Sequence, residues 1–148
     1  MSKEVIVLPK GEGETLGVMG TKVTFLCPAE KTAKGFSLME VTLPKDAGPP
    51  PHDHPWDEAY YIVEGEARFE VDGRALVARA GDFLYAPAGT LHGFKGASER
   101  PARVLVFDAP AAAEAFFRDV DREVKVLPED MRKVPEIGRR HRLNFRAP

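Results

Sequence analysis

Three of the four histidines in the chain stand at positions 52, 54 and 92, and Glu58 follows the first two closely. On an extended strand, side chains two residues apart leave the same face, about 6–7 Å from each other along the chain. His52 and His54 can therefore converge on one ion from neighbouring rungs, and Glu58 shares their parity. Imidazole with carboxylate suits a borderline divalent transition ion; Fe, Mn, Ni, Co, Cu and Zn all accept that donor set. Pro49, Pro50 and Pro51 precede the pair, fix an extended approach and oppose helix. Further on, Pro87 and Gly89 force a turn, and a strand after that turn presents His92 as a fourth ligand.

Such donors need a rigid frame, and the first hundred residues read as short strands. Val5–Leu8, Lys22–Leu26, Ser37–Leu43, Glu58–Val63, Ala67–Val71, Ala75–Ala78, Phe83–Ala86 and Val104–Phe107 are rich in β-branched and apolar residues. Turn signals part them at Glu64-Gly65, Asp72-Gly73 and Ala80-Gly81-Asp82. Many short strands at close spacing point to a sandwich or barrel. Beyond residue 110 the pattern becomes helical. Pro110–Arg118 has high helix propensity, and Pro128–Leu143 is a second helix with acids early, bases late and Pro135 dividing it.

The two histidine stretches read H-x-H-x-x-x-E-x-x-x-x-x-x-G and G-x-x-x-x-x-P-x-G-x-x-H. They resemble the two motifs of the cupin superfamily through His52, His54, Glu58, Gly65, Gly81, Pro87, Gly89 and His92. The resemblance implies an all-β cupin jelly-roll barrel that holds one divalent transition metal ion on His52, His54, Glu58 and His92. Residues 1–109 are then the barrel with its N-terminal strand. Residues 110–148 are a helical extension of the same domain, packed outside. Two positions depart from the pattern: Asp46 stands where the first motif opens with glycine, and Gly96 where the second often ends with asparagine. The tail, with Phe116-Phe117, Arg139-Arg140-His141 and Asn144-Phe145, loosely resembles quercetin-dioxygenase-like bacterial cupins.

Composition narrows the function. Net charge is −2, and no basic motif favours nucleic acid; no apolar run approaches a membrane span. Cys27 is the sole cysteine, expected as an inert buried thiol, and the N-terminus has no signal-like apolar region; together these favour the cytoplasm. The absence of Gln, the single Asn and the 13 Pro suit a heat-adapted host. Glu40, Arg68 and Lys95 read as outward, and His141 as isolated from the ligands.

The family likeness points to a dioxygenase acting with O2 on a small enol- or hydroxyl-bearing aromatic, flavonol-like substrate. Glu58 then serves as both ligand and base, with Trp56, Tyr60, Phe69 and Phe94 as the substrate-binding wall. The alternatives are a metal-dependent sugar isomerase or epimerase, which needs inward Lys, Arg or Ser, and a small-molecule-binding cupin without turnover. The family also implies a homodimer, with Glu4–Leu8 pairing across subunits to cover a sheet edge.

Overall fold

The structure, a computed structural model, describes residues 3–146. In chain order the strands are β1 (Thr15–Val18), β2 (Thr21–Cys27), β3 (Ser37–Leu43), β4 (His52–Asp53), β5 (Asp57–Glu64), β6 (Glu66–Val71), β7 (Arg74–Arg79), β8 (Phe83–Ala86), β9 (His92–Gly96), β10 (Ala102–Ala109) and β11 (Asn144–Phe145). Helices α1 (Glu114–Glu123) and α2 (Val134–Arg140) lie between β10 and β11. One sheet runs β1-β2-β3-β10-β5-β8 and the other β11-β4-β9-β6-β7, with every strand pair antiparallel. This is the expected jelly roll with helices at its C-terminal end.

Strict alternation fills the interior. β3 buries Ser37, Met39, Val41 and Leu43, and β10 buries Ala102, Val104, Val106 and Asp108. Opposite them lie Ala67 and Phe69 of β6, and His92 and Phe94 of β9. Asp72 and Gly73 both take left-handed backbone (φ 49 and 81), as the tight β6–β7 hairpin requires. β4 is only two residues long because Pro49–Pro51 and Pro55 flank it and offer no N–H to a ladder.

Four expectations are corrected. Val5–Leu8 is not a strand: Val5 and Val7 are 93% and 87% exposed, and the segment has no strand neighbour among the described residues. The first helix spans Glu114–Glu123 rather than Pro110–Arg118. Residues 110–113 instead dock the chain onto the barrel: Ala111 N–H donates to Lys34 O at 3.1 Å, and Ala113 is buried. The second helical stretch divides, as Pro135 foretold, into a 3-10 turn at Glu129–Lys133 and α2. It stops at Arg140, and Leu143 N–H closes back onto Gly138 O at 2.9 Å. Cys27, in turn, is only partly buried. No helix among the described residues is long and apolar enough to cross a membrane.

The two departures from the cupin pattern are neighbours in space. Asp46 N–H donates to Gly96 O at 2.9 Å, and Asp46 takes φ 65, a left-handed backbone that aspartate tolerates better than most residues. The Pro44–Ala47 turn sits directly on Gly96; a Cβ there would overlap the Pro44 carbonyl and reach 2.6 Å from Leu43 O. Restoring the family residue with Gly96→Asn is therefore expected to destabilise the fold by about 1–3 kcal/mol, the usual cost of overpacking. Urea denaturation measures it.

Candidate metal centre

β4 and β5 deliver three donors and β9 the fourth. His52 pairs in register with His92 across β4–β9. The ligand atoms of His52, His54, Glu58 and His92 all lie within 4.8 Å of one another, and all four residues are buried. The imidazole centroids are 4.6 Å (52–92), 5.0 Å (54–92) and 5.6 Å (52–54) apart.

Each imidazole is held from behind. Nδ1–H of His52 donates to Pro50 O at 2.8 Å, that of His54 to Trp56 O at 3.0 Å, and that of His92 to Thr90 O at 2.8 Å. A carbonyl only accepts, so these bonds put the proton on Nδ1 and leave the Nε2 lone pair facing the cluster. Rings whose tautomer is fixed in this way are ready-made ligands. His54 Nε2 is buried without a hydrogen-bond partner, and its ring is stacked on Trp56 at 4.2 Å and 7°. An orphaned, inward-facing nitrogen beside two more imidazoles and a carboxylate fits a metal ion.

The carboxylate is tuned by a neighbour that sequence reasoning missed. Asp108 lies opposite Glu58 in the β10–β5 register and is fully buried. Burial, then the charge of Glu58, push Asp108 well above the ordinary carboxyl range. Burial pushes Glu58 up as well, but the surrounding Asp108, His54 and His92 outweigh it and hold Glu58 well below its ordinary value. The pair therefore keeps its proton on Asp108 and its charge on Glu58. Tyr60 O–H donates to Glu58 Oε1, and His92 Nε2 lies 3.0 Å from that oxygen. An acid at the inward parity of Val104 and Val106 was the available signal for Asp108.

A narrow, apolar cavity opens onto His52, His54 and Glu58. Val23, Val41, Val106, Trp56 and Phe94 of the barrel line it, joined by Phe116 and Phe117 of α1 and by Leu143 and Phe145. Besides the ligands, Thr21 is the polar liner, and no Lys or Arg is among the described residues that form the wall. Of the four expected wall residues, Trp56 and Phe94 line the cavity. Tyr60 lies behind Glu58, and Phe69 packs at 5.1 Å and 5.4 Å against Tyr60 and Phe94, away from the opening.

The C-terminal segment contributes wall residues that the sequence reading did not assign. β11 pairs with β4, placing Phe145 opposite His52 with ring centroids 5.0 Å apart. Gly138 makes room, since a Cβ there would come within 2.9 Å of the Phe145 ring. Asp53 ties the strand down by accepting from Asn144 at 2.9 Å and Arg146 at 3.1 Å. His141 is remote from the cluster and bonds Asp119 at 2.6 Å. Glu40 is half-buried and accepts from Arg103 at 2.8 Å.

Comparison with known proteins agrees with this architecture. The Cupin domain family matches residues 39–108, which hold all four donors. The chain is 32% identical over 114 residues to quercetin 2,3-dioxygenase of Bacillus subtilis, covering 76% of this chain and 33% of that protein. It thus spans about a third of the dioxygenase's length. It is 26% identical to the polyketide synthase CurC of Streptomyces cyaneus, over 89% of this chain and 74% of that one. The solved polyketide cyclase RemF of Streptomyces resistomycificus superposes with a TM-score of 0.61 at 25% identity, covering 74% of this chain and 80% of its own. With both histidine motifs matched and folded into two facing sheets around converging donors, the chain belongs to the cupin superfamily.

Proposed function

We propose that this cupin is a metal-dependent dioxygenase acting on a small, largely apolar molecule that carries an enol or aromatic hydroxyl. The carrying observation is the contrast within the cavity: three metal donors at one end and an apolar, aromatic wall around the rest. Such a wall favours a flat hydrocarbon-rich body, while the donor end orients its oxygens. A phosphorylated or polyhydroxylated sugar needs cationic or hydrogen-bonding partners that this wall does not offer, so the isomerase reading ranks below. The 32% identity to quercetin 2,3-dioxygenase supports the same substrate chemistry.

A divalent transition ion, held by His52, His54, Glu58 and His92, supplies Lewis acidity and open coordination positions. The protein's own part is to position and to move a proton. Phe94, Phe116, Phe145 and Trp56 exclude water and hold the substrate's ring system. Among the residues lining the cavity, Glu58 is the one carboxylate, so it is placed to take the hydroxyl proton. Held well below the ordinary range, it is a weak acceptor, so the hydroxyl must first be acidified. Tyr60 donates to it and helps to fix its orientation. The cytoplasm, with its reduced thiols, is the compartment we assign.

A second reading has its own support: CurC resembles this chain over 89% of its length, and a cavity of this kind also suits a polyketide folded for ring closure without O2. Loading the protein with each candidate metal and offering flavonols, diketones and enols in an oxygen-electrode cell separates the two. The expected result is stoichiometric consumption of O2 with substrate in at least one metallated form. Substrate loss at constant O2 supports the cyclase reading instead, and binding without conversion in every form supports a sensor.

A further inference from the structure

Five buried side-chain polar atoms make no hydrogen bond among the described residues: Ser37 Oγ, His54 Nε2, Trp56 Nε1 and both carboxyl oxygens of Asp108. Buried polar groups are paired as a rule, so each of these calls for a partner. Ser37 and Asp108 stand opposite each other in the β3–β10 register and are not among the residues that line the cavity. His54 and Trp56 both line it. His54 Nε2 is an acceptor, as a metal ligand must be. Trp56 Nε1 is a different case, because an indole N–H only donates and cannot ligate a cation.

The cavity's lining side chains with an N–H or O–H are Thr21, His52, His54 and Trp56. Thr21 donates its hydroxyl to Val18 O at 2.5 Å, and the two imidazoles donate Nδ1–H to backbone carbonyls. Among these described residues, the Trp56 N–H is the uncommitted donor. It is also held in place. The indole is 1% exposed and lies flat on His54 at 4.2 Å and 7°, so it stands at the metal end of the cavity. The backbone around it is tied down: His54 Nδ1–H donates to Trp56 O at 3.0 Å, Gly89 N–H to His54 O at 2.9 Å, and Ala88 N–H to Asp57 Oδ1 at 2.9 Å. A donor fixed in this way gives a ligand a hydrogen bond without first ordering a side chain.

We propose that the Trp56 N–H binds a second oxygen of the substrate, a carbonyl-type acceptor close to the hydroxyl that faces the metal donors. This rests on the reading of the cavity as the site of a hydroxyl-bearing aromatic, and it narrows that reading. Glu58 accepts and Trp56 donates, so the two ends of this short polar edge sort ligands by opposite rules. A simple phenol satisfies the donor end and leaves the indole orphaned, whereas an ortho-hydroxy ketone satisfies both. An unpaired buried donor in the complex is what makes such a site discriminate. The phenyl rings of Phe94, Phe116 and Phe145 cannot supply that distinction, because they have no hydrogen bond to give.

Trp56 is the sole tryptophan, so the isotope-labelled protein has a single indole N–H resonance. Zinc-loaded protein is titrated with ortho-hydroxyacetophenone and with ortho-ethylphenol, which differ at one carbon, carbonyl against methylene. With the ketone the indole proton is expected to move downfield and to exchange more slowly with water. With the phenol it is expected to stay, while resonances of other cavity residues move with both. Trp56→Phe keeps a ring against His54 and the backbone carbonyl that holds it, and removes the N–H. It is expected to weaken the ketone about three- to tenfold, the usual contribution of one hydrogen bond, and the phenol by less than about twofold. The resonance needs no variant, so it decides the matter should Trp56→Phe load zinc poorly. An indole signal that the bound ketone leaves unmoved, or a Trp56→Phe loss equal for both ligands, overturns the proposal and leaves the hydroxyl-aromatic reading standing. A protein that binds neither ligand overturns that reading, and the proposal falls with it.

Discussion

Replacing His54 with alanine is expected to lower bound metal by an order of magnitude or more. Its Nε2 is buried without a hydrogen bond, its ring is pinned on Trp56, and its Nδ1 is committed to the Trp56 carbonyl. That arrangement leaves the imidazole little to do except bind an ion. Loss of groups that merely support ligands costs about 10–100-fold in affinity, and loss of a ligand exceeds that. Elemental analysis of untagged protein gives the metal content. Thermal melts separate binding from folding: ligand that binds only the native state raises its stability by mass action. Wild type is expected to gain melting temperature with added metal, whereas His54→Ala keeps its metal-free value. His141→Ala is the matched control, because His141 bonds Asp119 on α1 and faces no other donor. Unchanged metal content in His54→Ala removes the cluster from consideration as a metal site.

The ligands were legible because their signal is local. Period-two alternation and flanking prolines are written in a dozen consecutive residues, and His92 follows its own turn signal. Strand positions in the barrel were legible for the same reason: Ser37–Leu43 and Phe83–Ala86 occur as expected. What stayed hidden depends on contacts distant in sequence. Val5–Leu8 has the composition of a strand, but a strand exists only beside a partner, and the described residues offer none. Tyr60 shares the parity of Glu58, yet its hydroxyl is spent on that carboxylate and its ring lies behind it, so parity alone misjudged depth. Phe145 reaches His52 across 93 positions through a two-residue strand that propensity cannot flag. The same segment explains why the extension matters chemically: α1 and β11 are wall as well as exterior. The helical tail therefore helps to decide which molecules fit.

Metal affinity is expected to fall at least about tenfold for each pH unit once the solution is more acidic than the pKa of His92 in the metal-free protein. An imidazole binds metal only without its Nε2 proton, so each proton held by the free site must leave when metal enters. Burial alone would lower His92, but the hydrogen bond and charge of Glu58, with Thr90 and Asp53, raise it above the ordinary 6.5. Competition from that proton therefore begins at a higher pH than an ordinary imidazole would set. His52 behaves oppositely. Burial, and then the charge of His92, depress it to about 4, so its proton competes only as pH approaches that value and steepens the fall there. Glu58 does not cause the neutral-range loss, because it is held well below its ordinary range and stays ionised throughout. Chelator-competition titrations from about pH 5 to about pH 8, the range in which imidazoles titrate, measure the slope. Glu58→Gln provides the internal check. Removing the carboxylate weakens binding overall, but it also removes what raises His92, so the onset of the pH dependence moves to lower pH. An affinity flat between pH 5 and pH 8, or an onset unmoved in Glu58→Gln, contradicts this account: the carboxylate that anchors the ion is also what makes acid expel it.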